Sequence, residues 1–350
     1  MKTPTHSSPA PGRPDITRLG AHQRTALRER LAQAAIFILL AGLVILFQSR
    51  EPSFLDVANI FSIMQAVSIV ALLGVGITIT LAVNGFDLSV GSIAAFSQMT
   101  ASYILVVLHG SAVSAVSGCI AFGVLAGLLN GLLIVRLRIP DQLATLGTLF
   151  LLAGLQLIPT GGRSLTTGTI LPDGTTATGS FPDAFLSLGR LRIGGVVPVP
   201  VMVLAAITLA LWFLMEFTRW GRVFYAVGGN ETAARLAGAP TQRYRVTAYV
   251  VSGVIASLGG VLLSARIGRG DVSVGNSLLL DSVAAALIGY AVWGANRPNV
   301  LGTVIGAIFV GVLLNGLTML NAPYYTQDFV KGLILVSALA VTFSLSRKAR

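Results

Sequence analysis

An all-α, polytopic membrane protein with about ten transmembrane helices is the fold class this sequence predicts, and three observations predict it. The chain is 54% hydrophobic and only 11% charged, with a mean hydropathy of +0.81, where soluble domains carry about 25% charged residues. Apolar runs long enough to cross a bilayer recur along its length. Between two of them lies one arginine-rich interlude, Arg219 to Arg245. The formal charge of +11 needs no nucleic-acid partner. Arginines gathered on one face of a bilayer, beside anionic lipid and a partner protein, account for it.

Taken in order, residues 1–30 are polar and rich in Ser, Thr, Pro and Arg, which predicts a disordered cytoplasmic tail. No small-residue cleavage site follows the first apolar run, so Leu31 to Phe47 reads as a retained span. Hydropathy places the spans at 31–48, 58–83, 88–108, 112–135, 141–159, 197–217, 246–265, 278–293, 299–320 and 328–346. Residues 31–346 then form one transmembrane domain, with a loop at 218–245 and a short cytoplasmic end at 347–350. Ten spans put both termini on one side. With that side cytoplasmic, seventeen of the 24 Lys and Arg residues lie inside, as the positive-inside rule requires. The Gly-containing junction between the second and third spans leaves room for a re-entrant segment there. The longest outside segment, Gly161 to Pro198, reads as an irregular loop with a short amphipathic piece around Phe181 to Leu188.

A repeat runs through these spans. Asp87-Leu88-Ser89-Val90-Gly91 recurs as Asp271-Val272-Ser273-Val274-Gly275, and Leu129-Asn130-Gly131-Leu132 as Leu314-Asn315-Gly316-Leu317. The first Asp falls at an inside junction and the second at an outside one. The expectation is an inverted repeat of spans 2–5 against spans 7–10, a common construction of transporter folds.

The interlude carries a short helix with its own punctuation. Asn230 suits the cap, Glu231 the positive end, and Ala233, Ala234, Arg235 and Leu236 propagate it. Gly238 supplies a left-handed stop and Pro240 prevents resumption. Ala233 and Ala234 leave a small face able to sit in a cleft. On charge alone a solvated connection accounts for the stretch equally well.

The stretch GRVFYAVGGNETAARLAGAP resembles the cytoplasmic loop of ribose- and xylose-type sugar permeases, in the branched-chain amino acid and monosaccharide permease superfamily. Gly85 to Ala95, Leu129 to Leu155 and Gly302 to Leu317 resemble that family too, and the similarity runs from about Ile60 to the C-terminus. The resemblance implies the membrane subunit of a bacterial ABC importer in the inner membrane. It implies a partner ATP-binding subunit engaged through Gly229, Asn230, Glu231, Ala233, Ala234, Arg235 and Gly238. It also implies a second permease copy or homologue, and a periplasmic substrate-binding protein that the Gly161–Pro198 loop would face. One departure is Gly289 to Pro298, where the family usually has a glycine-rich GGTSLxGGRG; this keeps the resemblance from naming a substrate.

No chemistry of its own is expected of the chain. The lysines are Lys2, Lys331 and Lys348; none ends a glycine-rich phosphate loop, so ATP hydrolysis belongs to a separate subunit. No nucleophile elbow or HExxH occurs, the three histidines lack metal-ligand spacing, and no cofactor is implied. Polar groups placed in or beside spans are candidates to line a path for a neutral polyol: Asn84, Asp87, Ser89, Asn130, Asp281 and Asn315. Asp87 equally suits a cap on the helix starting at Leu88, and Asp281 a polar contact near a helix start. Gly123-xxx-Gly127 and Gly302-xxx-Gly306 suit close helix packing, within a chain or between two. An ion-coupled secondary transporter, working without an ATPase, is the alternative. It needs no docking helix, and few carboxylates lie within the spans to couple protons.

Overall fold

The computed structural model of the chain describes residues 36–292, 297–323, 325–333 and 336. The expected tail over 1–30, the end at 347–350 and most of the last span lie outside them, as do residues 293–296 of the departing turn.

Apolar helices dominate the described residues. They are α1 (Ile36–Arg50), α2 (Val57–Ala82), α3 (Val90–Val106), α4 (Ala112–Val135), α5 (Asp141–Leu155), α7 (Val199–Phe217), α10 (Thr241–Ile267), α11 (Val274–Val292) and α12 (Val300–Met319). Shorter and more polar are α6 (Asp183–Arg190), α8 (Arg219–Gly229) and α9 (Glu231–Leu236), and β1 (Arg192–Ile193) pairs antiparallel with β2 (Val197–Pro198). Six helices are long and apolar enough to cross a membrane: α2, α4, α5 with the turn that extends it, α7, α10 and α12; α1, α3 and α11 are shorter apolar helices. Being apolar on every side, these helices carry no amphipathic stripe. Their ends are marked by caps instead: Ser111 Oγ accepts from Ser114 N at 3.2 Å at the start of α4, and Asn299 Oδ1 accepts from Gly302 N at 2.5 Å at the start of α12.

Among the six long helices, α2 and α10 are the most enclosed. They pack on each other, with α3 and α4 against α10 and with α11 and α12 against α2. Glycine sets the closest of these approaches. A side-chain carbon at Gly127 would lie 2.5 Å from the Cα of Val250, and one at Gly123 would lie 2.6 Å from the carbonyl of Gly253. Gly302 and Gly306 likewise face the backbone of Gly289 and Ala285 on α11. Both small-residue pairs therefore close contacts inside one chain. The two repeat glycines, Gly91 and Gly275, also meet, near the starts of α3 and α11.

Broad apolar faces remain on α4, α5 and α7, through Leu125, Leu132, Phe150, Leu151, Leu209 and Phe213. In a soluble protein such faces would be a liability; in a bilayer they are the lipid- or partner-facing surface.

The long connection between α5 and α7 closes the end of the bundle where α10 finishes. The amphipathic piece expected at 181–188 is α6 over 183–190, with Phe185 buried. Gly189 lets it lie against the backbone of Ala265 and Arg266, and Arg190 Nε donates to the Arg266 carbonyl at 2.9 Å. The Arg192 guanidinium sits 4.2 Å from the centre of the Phe61 ring.

Candidate functional site

The arginine-rich interlude folds as two helices, one more than its sequence suggested. α8 lays Gly221, Phe224 and Val227 inward. Gly228 lets it rest on the backbone at the end of α2, against Ala82 and Asn84. The Tyr225 hydroxyl donates to the Pro298 carbonyl at 2.9 Å, with Arg297 over the ring at 4.8 Å and Arg297 paired to Glu216 at 2.8 Å. Burial, then the nearby Glu216 carboxylate, push the Tyr225 phenol up to about 12, so it stays protonated and keeps that donor.

α9 has the punctuation its sequence carries. Asn230 Oδ1 accepts from Ala233 N at 2.9 Å, and Gly238 has φ +87. Two local expectations change. Ala234 is buried against its own chain, so the small face expected from Ala233 and Ala234 is reduced to Ala233. Pro240 does not keep the helix from resuming, since it immediately precedes α10, where a missing N–H costs nothing. The exposed side of α9 presents Thr232, Ala233, Arg235, Ala237 and Gly238 around Leu236, which is 84% exposed. Gly229 and Asn230 are exposed at its start and Glu231 is half-buried.

Deeper in the bundle, three of the six polar candidates meet. Asp87 is fully buried. Its Oδ1 accepts from Ser89 N at 2.9 Å and Ser89 Oγ at 2.6 Å, and its Oδ2 from Ser252 Oγ of α10 at 2.8 Å. Ser89 Oγ in turn accepts from Asn130 Nδ2 at 2.8 Å, and Asn130 Oδ1 accepts from Thr148 Oγ1 of α5 at 2.7 Å. The capping reading of Asp87 is only half right. α3 starts at Val90 rather than Leu88, and one carboxylate oxygen closes the turn before it while the other reaches across to α10. The cluster joins α3, α4, α5 and α10 through partnered groups, as polar atoms removed from water require.

The other three candidates stand apart from it. Asn84 is exposed, in a left-handed turn (φ 58) that ends α2. Asn315 exchanges two 3.0 Å amide bonds with Asn59, fastening α12 to α2. Asp281 lies well inside α11, and Lys331 Nζ approaches its Oδ1 to 3.1 Å, an ion pair without the alignment of a good hydrogen bond. Such a pair keeps either charge from being stranded among apolar helices.

A second polar group, which the sequence reading did not assemble, sits between α9 and the Asp87 cluster. Arg245 of α10 places Nη2 2.6 Å from Asp141 Oδ1, at the start of α5, and Nη1 3.3 Å from Glu231 Oε2, at the start of α9. The buried Tyr249 hydroxyl donates to Asp141 Oδ2 at 2.6 Å, and Thr241 Oγ1 donates to Glu231 Oε1 at 3.2 Å. Arg245, Tyr249 and Ser252 follow one another at helical spacing on α10. That spacing was the available signal, but Asp141 and Asp87, two of the acids they hold, lie more than 100 residues away along the chain.

The family described as branched-chain amino acid transport system / permease component matches residues 59–339. The ribose import permease protein of Escherichia coli strain K12 is 32% identical over 315 residues, covering 90% of this chain and 94% of its own. That of Bacillus subtilis strain 168 is 33% identical, covering 87% and 90%. The L-arabinose ABC transporter permease protein of Azospirillum brasilense is 28% identical over 345 residues, covering 99% and 96%. No solved structure matches. With a family match across most of its length and relatives above 30% identity across nearly all of it, the chain belongs to the family of branched-chain amino acid transport system permease components.

Proposed function

We propose that this chain is the permease subunit of an ATP-driven importer in the bacterial inner membrane, for a monosaccharide or similar small polar solute. The observation that supports the reading is α9, a capped helix held at the end of the bundle with Leu236 exposed and available to a partner. The partner is the ATP-binding subunit, and Gly229, Asn230, Glu231, Ala233, Ala234, Arg235 and Gly238 build or present the contact. Both termini, α8 and α9 face the cytoplasm. A second permease copy completes the transporter, and the α6 end receives a periplasmic binding protein.

About ten spans and an inverted repeat belong to the same reading. Its support is local and geometric. Asp271 Oδ1 accepts from Ser273 N at 3.0 Å and Ser273 Oγ at 2.7 Å, matching the turn at Asp87 and Ser89. The glycines that follow the two turns lie against each other, as residues beside a two-fold axis do. The Asp87–Ser89–Asn130 cluster would border the path; Asp281 and Asn315, with partners of their own, are weaker candidates, and Asn84 is the weakest.

The test is uptake by liposomes holding this chain with its proposed ATPase subunit and binding protein, given radiolabelled D-ribose, L-arabinose and D-allose. Accumulation of one of them should require internal ATP and stop when the ATPase subunit is left out. Accumulation by this chain alone, driven by a proton or sodium gradient, would favour a secondary carrier instead.

A further inference from the structure

We propose that Arg245 is a strut that carries movement of α9 to α5 and to the buried Asp87 cluster, an inference that rests on reading α9 as the ATPase contact. One guanidinium holds two acids that stand at the starts of two different helices, Glu231 for α9 and Asp141 for α5. A planar fork can hold both at once; a lysine ammonium at the same place is a single point charge. The arm to Asp141 is short and largely shielded, while Glu231 is 40% exposed on the far arm. Displacing α9 therefore pulls on a group whose other hand holds Asp141 at the start of α5.

Beyond Asp141 the contacts continue without a gap. Gly85 packs so closely on the Asp141–Tyr249 hydrogen bond that a side-chain carbon there would lie 2.5 Å from the Tyr249 hydroxyl and 2.7 Å from Asp141 Oδ2. The next residue, Phe86, accepts at its carbonyl from Thr145 Oγ1 of α5 at 3.2 Å, and the one after is Asp87. One turn further along α5, Thr148 grips Asn130. These polar contacts lie on one face of α5. The opposite face is exposed at Leu143, Phe150 and Leu151, and among the described residues nothing lies within 4 Å of a side-chain carbon at Gly147 or Gly154. A helix held by polar contacts along one face and presenting apolar side chains along the other can shift as a body when its end is pulled. Two sites that bias one movable element are coupled in the physical sense of the word.

The experiment uses the full chain, co-reconstituted with its ATPase subunit. It carries Phe150→Cys on the exposed face of α5, while Cys119 is buried. The readout is the rate of modification by a membrane-permeant maleimide, nucleotide-free and after trapping with ATP and vanadate. With the strut intact the two rates should differ several-fold, and Glu231→Gln or Asp141→Asn, which keep an acceptor but lose the charge, should each bring the ratio part of the way toward one while the ATPase subunit still co-purifies. Arg245→Lys should behave like them. The double variant Glu231→Gln/Asp141→Asn decides between a shared strut and two local losses. If one guanidinium carries both arms, the double is no worse than the worse single; independent damage multiplies. Equal rates in the intact strut, a full ratio in Glu231→Gln, or multiplying losses would each overturn the proposal. Failure of the unaltered chain to co-purify with the ATPase subunit would instead overturn the reading of α9, and the strut with it.

Discussion

Replacing Gly127 by leucine should prevent recovery of folded protein from the membrane. The contact at stake is the α4–α10 crossing, where a side-chain carbon would lie 2.5 Å from the Cα of Val250 and closer still to the Tyr249 carbonyl. Those are backbone atoms, and no rotamer change relieves them. Overpacking a tight interior costs about 1–3 kcal/mol where side chains can yield; with backbone on the far side, the cost belongs at or above the top of that range. Asn130, three residues on along α4, is bonded to Ser89 at the start of α3, and a shift of α4 strains that bond as well; a buried polar group left unpaired costs about 1–3 kcal/mol. Gly42→Ala on α1, where no described residue lies within 4 Å of the added carbon, is the matched control and should be recovered like the parent. Size-exclusion profiles and thermal unfolding in detergent check both. A monodisperse Gly127→Leu protein with unchanged melting would mean that the crossing is looser than its geometry says.

Leu236→Asp should leave the protein folded and break its association with the ATPase subunit. Being 84% exposed, Leu236 contributes little to the chain's own packing, and substitutions at such positions stay within about 0.5 kcal/mol of stability. A buried apolar anchor in a protein interface is worth about 2–4 kcal/mol, so association should weaken by about thirtyfold or more. Ala234 is the less suitable probe, because it is buried in its own chain and a large residue there would damage α9 itself. Co-purification of the ATPase subunit with each variant is the measurement. Undiminished capture by Leu236→Asp would remove α9 from the interface.

The division between what the sequence disclosed and what it hid follows the range of the interactions. The cap at Asn230, the left-handed Gly238 and the turn at Asp87 involve atoms a few residues apart, and local chemistry alone specifies them. α8 was missed because its inward residues, Gly221, Phe224 and Val227, make sense only against the end of α2 and the Tyr244 ring. The start of α10 was placed at 246 because Arg243 and Arg245 lower the local hydropathy. The helix nevertheless begins at Thr241, since Arg245 finds Asp141 and Glu231 to offset its charge. Asp281 and Asn315 stand out from sequence as path candidates because a polar residue in an apolar helix announces that it needs a partner, but not which one. Lys331 and Asn59, far away along the chain, are the answers. The bundle as a whole was visible in apolar run length, because that signal is local too.

The most direct test of the central claim, that α9 faces the cytoplasm and docks an ATPase subunit, is protection of a cysteine at position 236. In the Leu236→Cys chain, a membrane-impermeant maleimide should label the protein in inside-out vesicles that lack the ATPase subunit, leave it unlabelled in right-side-out vesicles, and label it far more slowly once the purified ATPase subunit is added to inside-out vesicles. Labelling in right-side-out vesicles, or a rate indifferent to the added subunit, would contradict the account.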